Sequence, residues 1–318
     1  MIVITGAAGF IGSSLVGALN QAGYHDLVLV DHFGVEAKKA NWQTKSFSQT
    51  VERSLFLEWL EANHEQVTYI FHLGARTDTT DFSTQVFLDL NLHYTQNIWN
   101  VCVKYGLPML YASSAATYGL GELGFSDQND DLAQKLAPLN PYAVSKNEMD
   151  KWAFAQSRKP FQWVGLKFFN VFGANETHKN RMASVVFHAY NQIKANGVVK
   201  LFRSNAPEFA DGEQLRDFIY VNDICNICIF FMENRHISGI FNAGTGKART
   251  FNDLAAACFA ALNQKTNIQY TDMPTDIAAT YQNFTQADTA KLRSVGYQQP
   301  FTDLETAITQ YIQTHLDK

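Results

Sequence analysis

The segment TGAAGFIG at residues 5–12 decides the fold of this chain. A short apolar run at residues 2–4 precedes it, and an apolar run with helical spacing at residues 15–19 follows it. A second apolar run at residues 27–30 ends at Asp31. A strand, a glycine-rich turn, a helix and a second strand that ends in a carboxylate form a dinucleotide-binding βαβ unit. The start of the chain therefore predicts a pocket for such a cofactor.

The three glycines of this turn each have a physical role in that unit. Gly6 permits the tight turn, Gly9 lets the backbone approach a pyrophosphate, and Gly12 lets the helix pack closely on the strand. The first N–H groups of the helix then face the phosphates. A glycine turn that binds nothing is the alternative, and the flanking strands together with Asp31 make it the weaker interpretation.

Composition narrows the class of protein. The chain has 318 residues, enough for a large core and two lobes, and its net charge of −5 argues against nucleic acid as the main partner. Apolar runs fall short of the ~20 residues that span a bilayer. Met1 leads directly into the first strand, which leaves no room for a signal peptide. With only four cysteines, we expect a reduced, cytoplasmic protein that needs no membrane.

Apolar runs with strand character alternate with helical stretches along the first half of the chain. Beyond the first two strands, the predicted strands lie at residues 67–72, 108–112 and 163–168, and the predicted helices at 55–63, 86–105 and 145–157. The alternation indicates an α/β fold, a Rossmann-type doubly wound parallel sheet with a smaller, interleaved C-terminal substrate-binding lobe. We expect residues 1–168 to form the dinucleotide-binding domain, with return segments at about 214–240 and 284–297, and residues 169–318 to form mainly the substrate-binding lobe.

Cys225 and Cys228 form a C-x-x-C pattern within an apolar stretch. The surrounding sequence offers neither a second cysteine pair nor a nearby histidine to complete a metal site. We therefore expect both cysteines to pack in a buried helix, and we expect no metal.

Two later segments add polar groups beside the predicted pocket. Ser113 and Ser114 follow a strand predicted to end at Ala112, and residues past the carboxyl ends of parallel strands line the ligand crevice. Tyr142 and Lys146 are four residues apart, which places both side chains on one face of a helix.

Tyr142 and Lys146 are suited to redox chemistry on a hydroxyl group. A free tyrosine has a pKa near ~10 and is a poor base at neutral pH. A lysine ammonium and a cationic oxidised nicotinamide would lower that pKa, while the hydroxyl of Ser114 would hold the substrate oxygen. The alternative is a tyrosine and a lysine on a solvated helix, which the other two segments disfavour.

These segments resemble the extended short-chain dehydrogenase/reductase superfamily. The resemblance rests on residues 6–12, Ser114 and Tyr142 with Lys146, and on the segments FNVFG at 169–173, RDFIYVND at 216–223 and FNAGTG at 241–246. Members of this superfamily are mostly nucleotide-sugar epimerases, dehydratases and reductases. Ala115 and Ala116 stand where the dehydratases have acidic residues, so the resemblance favours an epimerase over a dehydratase.

Three further segments are similar to the ADP-heptose 6-epimerase branch of the superfamily. They are YASSAATYG at residues 111–119, HKNRMASVVFH at 178–188 and YQNFTQAD at 281–288. The resemblance implies inversion of carbon 6 of ADP-heptose for the lipopolysaccharide inner core of a Gram-negative bacterium. It also implies one tightly bound NADP per subunit, regenerated in each cycle, and a homo-oligomer, typically a homopentamer.

The resemblance assigns four catalytic residues. Inversion changes the direction of the hydroxyl oxygen, and a single fixed acid/base would serve one of the two orientations poorly. Tyr142 would serve one orientation and Lys179 the other, with Ser114 orienting the oxygen. Lys146 would tune Tyr142 and hold the nicotinamide ribose. The alternative for Lys179 is a solvated loop lysine, or one that binds phosphate.

The resemblance also nominates binding residues. On the cofactor side, the positions are Gly6, Gly9 and Gly12 in the turn, Phe10 and Ile11 at the diphosphate, Asp31 and His32 at the ribose, Lys38 and Arg53 at the 2′-phosphate, and Leu73, Gly74, Ala75, Arg76 and Thr77 past a strand end. On the substrate side, they are Ser114, Asn170, Arg181, His188, Phe202, Arg216 and Tyr281. The planar fork of Arg216 suits a diphosphate, and its alternative is an ion pair with Asp217 or another carboxylate.

The choice between NADP and NAD depends on few charges. Asp31 alone favours NAD, because a carboxylate accepts hydrogen bonds from ribose hydroxyls and repels a 2′-phosphate. Lys38, Lys39 and Arg53 oppose that single charge, and the resemblance favours NADP over NAD.

The chain departs from the resembled pattern at three places. Asn180 and Arg181 replace a small Gly-Ser pair, Lys167 stands where arginine is common, and Ala174 replaces a proline. Two other functions remain open from the sequence: a UDP-hexose 4-epimerase, which needs the same serine, tyrosine and lysine, and a non-catalytic regulator that senses the cofactor.

Overall fold

A seven-stranded parallel sheet forms the centre of the protein. The computed structural model describes residues 1–79, 81, 83–274, 278 and 281–317. The strands of the main sheet are β1 (Ile2–Thr5), β2 (Leu27–Asp31), β3 (Gln49–Glu52), β4 (Tyr69–His72), β5 (Met109–Ser114), β6 (Trp163–Phe168) and β11 (Gly239–Ala243). Their order across the sheet is β3-β2-β1-β4-β5-β6-β11, and every neighbouring pair is parallel.

The other strands pair in short two-stranded sheets. These are β7 (Asn170–Phe172) with β10 (Phe218–Tyr220), β9 (Leu215–Arg216) with β12 (Arg249–Thr250), and β8 (Val199–Phe202) with β13 (Ile268–Thr271). The α-helices are α1 (Phe10–Gln21), α2 (Lys39–Trp42), α3 (Phe56–Asn63), α4 (Thr84–Phe87), α5 (Tyr94–Tyr105), α6 (Pro141–Ala155), α7 (Val185–Asn196), α8 (Val221–Glu233), α9 (Phe251–Ala261), α10 (Ala290–Ser294) and α11 (Leu304–Tyr311). A π-helical segment, Leu88–His93, joins α4 to α5.

The strand order explains where a ligand can bind. The chain runs from β1 outward to β3 and then returns to β4 on the other side of β1, so the order reverses between β1 and β4. Loops that leave the carboxyl ends of strands on the two sides of such a point diverge and open a crevice. The predicted α/β fold class, a doubly wound parallel sheet, is confirmed.

Most predicted elements are confirmed, with differences at their ends. The strand predicted to end at Ala112 continues to Ser114, because both serines pair with β6. The helix predicted from residue 145 begins at Pro141 and is capped by the Asn140 side chain, which accepts a hydrogen bond from the Ala143 N–H at 2.9 Å.

The second half of the chain contributes a helix and a strand that pack against elements of the first half. α8 packs on α1, and β11 extends the main sheet beside β6. Cys225 and Cys228 are buried in α8 within the apolar core, so the expectation that they pack there is confirmed. Among the described residues, no helix has the length and apolar character needed to span a bilayer.

Candidate active site

The glycine-rich turn has the geometry that the sequence predicts. Gly6 has a φ of +69°, and a Cβ on Gly12 would lie 2.1 Å from the Gly6 carbonyl oxygen. Any side chain at residue 12 would therefore push α1 away from the turn. The Ala8 N–H donates to the Asp31 carboxylate at 3.0 Å, which fixes the turn against the end of β2. This cradle fits a dinucleotide pyrophosphate.

A cleft of about 990 Å³ lies beside the turn and receives residues from both halves of the chain. From the first half, the predicted residues in its lining are Phe10, Ile11, Leu73, Ala75, Thr77, Ser114, Tyr142 and Lys146. From the second half, they are Asn170, Lys179, Arg181, His188, Phe202, Arg216 and Tyr281. The remaining predicted positions lie in the turn and the first part of α1, at the last residue of β2, or after the carboxyl ends of β2, β3 and β4: Gly6, Gly9, Gly12, Asp31, His32, Lys38, Arg53, Gly74 and Arg76.

Tyr142 lies next to Ser114 in this cleft. Burial raises the pKa of Tyr142, and a hydrogen bond with the Ser114 side chain acts in the opposite direction. Ser114 Oγ also accepts the Ala116 N–H at 3.1 Å, which orients the hydroxyl at the end of β5. The lowered pKa that the sequence predicts for Tyr142 depends on Lys146 together with an oxidised nicotinamide. The protein alone raises it, because desolvation of the phenolate outweighs the hydrogen bond.

Lys146 is buried one helical turn after Tyr142. Its Nζ donates to the Ala112 carbonyl oxygen at 2.8 Å. Burial lowers the pKa of Lys146 to about 8, while the charge of Asp150 raises it. The lysine is therefore a buried cation that stays largely protonated at neutral pH and lies at the same cleft wall as the tyrosine.

A chain of hydrogen bonds beneath the cleft holds a neutral histidine. Burial, followed by the charge of Lys146, lowers the pKa of His72 to about 3. Thr95 Oγ1 donates to the Asn91 carbonyl oxygen and lies 2.9 Å from His72 Nε2, so it must accept the Nε2 proton. His72 Nδ1 then accepts from Thr5 Oγ1 at 2.7 Å. This chain ties the end of β1 to the π-helical segment.

Asp150 and Lys167 form a buried ion pair under the serines. Lys167 Nζ lies 2.6 Å from the Asp150 carboxylate, which also accepts from Ser113 Oγ at 2.7 Å. Lys167 donates to Thr117 Oγ1, and Thr117 in turn donates to the Ser114 carbonyl oxygen at 2.8 Å. Breaking such a pair would leave an uncompensated buried charge. The lysine at position 167 therefore fits this site in place of an arginine.

Lys179 reaches the cofactor side of the cleft from the segment after β7. Its Nζ lies 5.5 Å from the centroid of the Phe10 ring, at the start of α1. Burial lowers the pKa of Lys179, and the charge of Glu176 raises it. The Lys179 side chain is partly buried in the cleft lining, which disfavours the alternative of a solvated loop lysine.

Asn41 links this segment to the glycine-rich turn. Its Nδ2 lies 3.1 Å from the carbonyl oxygens of Ala8 and Asn175 and 3.2 Å from His178 Nδ1. Burial, together with the positive charges of Lys38 and Lys179, lowers the pKa of His178. The neutral ring can therefore accept a hydrogen bond from the Asn41 amide N–H.

Arg181 and His188 lie at the open side of the cleft. The Arg181 guanidinium is 69% exposed and 4.0 Å from the Asp78 carboxylate, so it reaches across to the loop after β4. His188 Nε2 lies 3.3 Å from the Arg181 carbonyl oxygen. Arg76 pairs with Asp81 at 3.0 Å, so its side chain is engaged outside the cleft lining.

Arg216 lies in an aromatic environment at the far end of the cleft. Its guanidinium is 5.0 Å from the Tyr281 ring and 5.5 Å from the Phe251 ring. The Phe202 ring meets Tyr281 edge-on. The Asp217 carboxylate accepts from the N–H groups of residues 245, 246 and 287 instead. The alternative of an Arg216–Asp217 ion pair is therefore wrong.

The backbone of Asn180 is strained. Its φ of +48° and ψ of −125° place it in a region that glycine adopts freely and other residues rarely do. The departure from the resembled Gly-Ser pair therefore has a local cost.

Replacing Asn180 with glycine should relieve this strain. Strain of this kind costs ~1–3 kcal/mol of folding free energy. Only part of that would be gained, because a glycine loses more conformational entropy on folding than an asparagine. We expect Asn180→Gly to raise the melting temperature by about 2 °C, measured by differential scanning calorimetry. An unchanged or lower melting temperature would contradict the assignment of strain to this residue. Asn263→Gly, at another positive φ of 54° outside the cleft, is a matched comparison.

Several residues of the site were not predicted from the sequence. They are Asn41, His72, Asn91, Thr95, Asp150 and Glu176. His72 ends β4, and its place past a strand end was an available signal. Asn41, Asn91, Thr95 and Asp150 act through contacts between distant parts of the chain, which spacing does not reveal. Glu176 contacts nearby residues, in a segment without regular periodicity.

Comparison with known proteins agrees with this geometry. Residues 2–244 match the family model described as the NAD dependent epimerase/dehydratase family. The chain belongs to this family. Within the epimerase/dehydratase family, the chain is 44% identical over its whole length to the ADP-L-glycero-D-manno-heptose-6-epimerase of Fusobacterium nucleatum, of which it covers 98%. It is 42% identical to the protein of that name from Nitratidesulfovibrio vulgaris, with 99% of this chain and 98% of the relative covered.

A solved structure of this epimerase/dehydratase family shares the whole fold. The crystal structure of Helicobacter pylori ADP-L-glycero-D-manno-heptose-6-epimerase matches with a TM-score of 0.80 at 27% identity, covering 98% of this chain and 95% of that one. The family resemblance drawn from the sequence is therefore confirmed. The family uses a nicotinamide cofactor.

Proposed function

We propose that the protein inverts carbon 6 of ADP-D-glycero-D-manno-heptose to give the L-glycero epimer. The observation that carries the proposal is the single cleft that brings Ser114, Tyr142, Lys146 and Lys179 together between the glycine-rich turn and Arg216. Curated relatives that are 39–44% identical bear the name of this activity. By the same resemblance, the product serves the lipopolysaccharide inner core.

The residues of the cleft divide the chemistry among them. A nicotinamide bound in this cleft would supply reversible hydride transfer at carbon 6, from one face on oxidation and to the opposite face on re-reduction. Ser114 holds the carbon 6 oxygen, and Tyr142 exchanges its proton in one orientation. Lys179 exchanges the proton in the other orientation, since its lowered pKa makes the neutral amine more accessible at a given pH. The buried charge of Lys146 favours the phenolate form of Tyr142, and the Lys146 side chain would hold the nicotinamide ribose.

The two ends of the cleft bind different ligands. Residues 1–168, with the return segments 214–240 and 284–297, bind the dinucleotide, and residues 169–318 bind mainly the nucleotide sugar. Arg216 binds the sugar-nucleotide diphosphate beside Tyr281 and Phe202, and Asn170, Arg181 and His188 contact the rest of that ligand. The resemblance further supports a cytoplasmic homo-oligomer, a homopentamer, in a Gram-negative bacterium.

The experiment that tests this function is incubation with ADP-D-glycero-D-manno-heptose. We expect conversion to a mixture of the two epimers, resolved by chromatography, with no net change in nicotinamide absorbance. UDP-galactose should not be converted. Conversion of UDP-galactose alone would favour the UDP-hexose 4-epimerase, and binding of cofactor without any turnover would favour the regulator.

The cofactor we propose is NADP, with NAD as the weaker candidate. Lys38 Nζ lies 3.3 Å from the Asp31 carboxylate, and this cation offsets the charge that would repel a 2′-phosphate. The Asp31 carboxylate also accepts the N–H groups of Ala8 and His32, so it is already occupied by the protein. A solved relative at 26% identity, MoeE5, is in complex with UDP-glucuronic acid and NAD, which keeps NAD as an outcome to test.

Cofactor identity can be measured directly. We expect NADP to be released when the purified protein is denatured, and Lys38→Ala to lower the ratio of bound NADP to bound NAD. Lys39→Ala is the matched control, because Lys39 pairs with Glu36 rather than with Asp31. Release of NAD alone by the wild-type protein would refute the choice of NADP.

A further inference from the structure

Glu176 is a buried carboxylate inside the segment that carries Lys179. Only 1% of its surface is exposed. Its Oε1 accepts the Gly173 N–H at 3.2 Å and the Ser184 hydroxyl at 2.7 Å, and its Oε2 accepts the Ser184 N–H at 2.5 Å. Its backbone carbonyl oxygen accepts the Lys179 N–H at 2.9 Å. One residue therefore ties both ends of segment 173–184 and its central lysine.

The contacts of Glu176 extend into the next helix. Ser184 caps α7, because its hydroxyl oxygen accepts the Phe187 N–H at 3.2 Å while its proton goes to Glu176. Gly173 directly follows β7. The carboxylate thus joins the end of a strand to the start of a helix. The segment between them has three positive φ angles, at Gly173, Asn175 and Asn180, and makes no regular strand pairing.

The charge of Glu176 acts on Lys179 without a direct ion pair. In the part of the chain that the structure describes, no cation lies within ion-pair distance of the Glu176 carboxylate. Among the charges around Lys179, that of Glu176 raises its pKa, and the positive charge of Lys179 in turn lowers the pKa of His178 beside it. The phenol of Tyr311 on α11 faces Glu176 from the other side, and burial followed by the charge of Glu176 raises the pKa of Tyr311.

We propose that Glu176 is a positioning residue for Lys179. Its carboxylate closes segment 173–184 by accepting from Gly173 and Ser184, its backbone carbonyl oxygen holds the Lys179 N–H, and it places a buried negative charge in the same segment as the lysine. The inference rests on the proposed function, because it needs Lys179 to exchange a proton with the substrate. A lysine on an open segment would move relative to carbon 6, and a displacement of about 1 Å in a reacting group can cost about 10²-fold in rate. The buried charge also sets how readily the ammonium loses its proton.

The test compares the wild-type protein with Glu176→Gln, which keeps the size of the side chain and removes the charge. We expect kcat to fall by about 10–100-fold while KM for ADP-heptose changes little. Because the carboxylate raises the pKa of Lys179, its removal lowers that pKa further. The limb of the kcat–pH profile that belongs to Lys179 should therefore move to lower pH. A wild-type kcat, or a lower kcat with an unmoved limb, overturns the proposal.

Asp223→Asn is the matched control. Asp223 is also a buried carboxylate, and it accepts the N–H and hydroxyl of Thr302 at 2.9 and 3.0 Å, away from the cleft. Its loss should destabilise the fold but leave the pH profile unmoved. If Glu176→Gln does not fold, Ser184→Ala decides, because it removes one donor and keeps the charge. We expect a lower kcat for Ser184→Ala, and a wild-type kcat would overturn the proposal.

Two parallel measurements separate this inference from the proposed function. Lack of turnover of ADP-heptose by the wild-type protein would refute the function, and the inference with it. Loss of turnover in Lys179→Met together with normal turnover in Glu176→Gln would refute only the role of Glu176.

Discussion

Tyr142→Phe is expected to lower the rate of epimerisation by about 10²–10⁴-fold, the usual cost of losing a positioned acid/base. The change removes the phenol that lies beside Ser114 and keeps the ring that packs edge-on against Phe87. Binding of the nicotinamide cofactor should be retained, because the glycine-rich turn and Lys146 are untouched. The measurement is kcat with ADP-heptose, alongside the amount of nucleotide released on denaturation.

Tyr297→Phe is the control for removing a buried phenol. The Tyr297 hydroxyl is buried and finds no hydrogen-bond partner among the described residues, and the residue is absent from the described cleft lining. We expect normal turnover from this variant. Near-normal turnover from Tyr142→Phe would refute the assignment of Tyr142 as an acid/base.

Lys179→Met is expected to reduce kcat by a factor comparable to that of Tyr142→Phe, because the substrate oxygen takes two orientations. Methionine keeps the length and apolar character of the buried stem and removes the ammonium. KM should change little. If Lys179 only binds phosphate, the loss should appear mainly in KM, and a high substrate concentration should restore the rate.

The control for this second variant is Lys194→Met. Lys194 is on α7, close to Lys179 in the chain, but it is exposed and pairs with Asp317 at 2.6 Å. Both kinetic parameters should stay at their wild-type values. For Lys179→Met, a kcat within a few-fold of wild type at saturating substrate would remove Lys179 from the catalytic set.

The sequence was informative wherever structure is determined locally. The turn at Gly6, Gly9 and Gly12 was predictable because each glycine meets a constraint set within one βαβ unit. The Tyr142–Lys146 pair was predictable because helical spacing alone places both side chains on one wall. The long apolar strands were predictable because strands buried on both faces are continuously apolar.

Other elements were missed for physical reasons. β3 is short and half-exposed, so its sequence QTVE lacks an apolar run. β11 was recognised as a motif and not as a strand, since its place beside β6 is set by a distant part of the chain. Asn41 gave no signal, because its partners become neighbours only after folding. Glu176 gave none because its partners, although close in the chain, lie in an irregular segment whose path the sequence pattern does not predict. The raised pKa of Tyr142 likewise depends on burial, which spacing does not show.

The position of the Asn41 amide bears on the exchange of the nucleotide that we propose to bind at the glycine-rich turn. Asn41 joins the glycine-rich turn to the segment that carries Lys179. A dehydrogenase must exchange its nucleotide after every turnover, and a permanent connection at this place would slow it. An epimerase returns the hydride to the substrate before the product leaves, so its nucleotide ends each turnover in the oxidation state in which it began and can remain bound. A fixed connection at Asn41 then does not slow turnover, and its hydrogen bonds can stabilise the fold at this place.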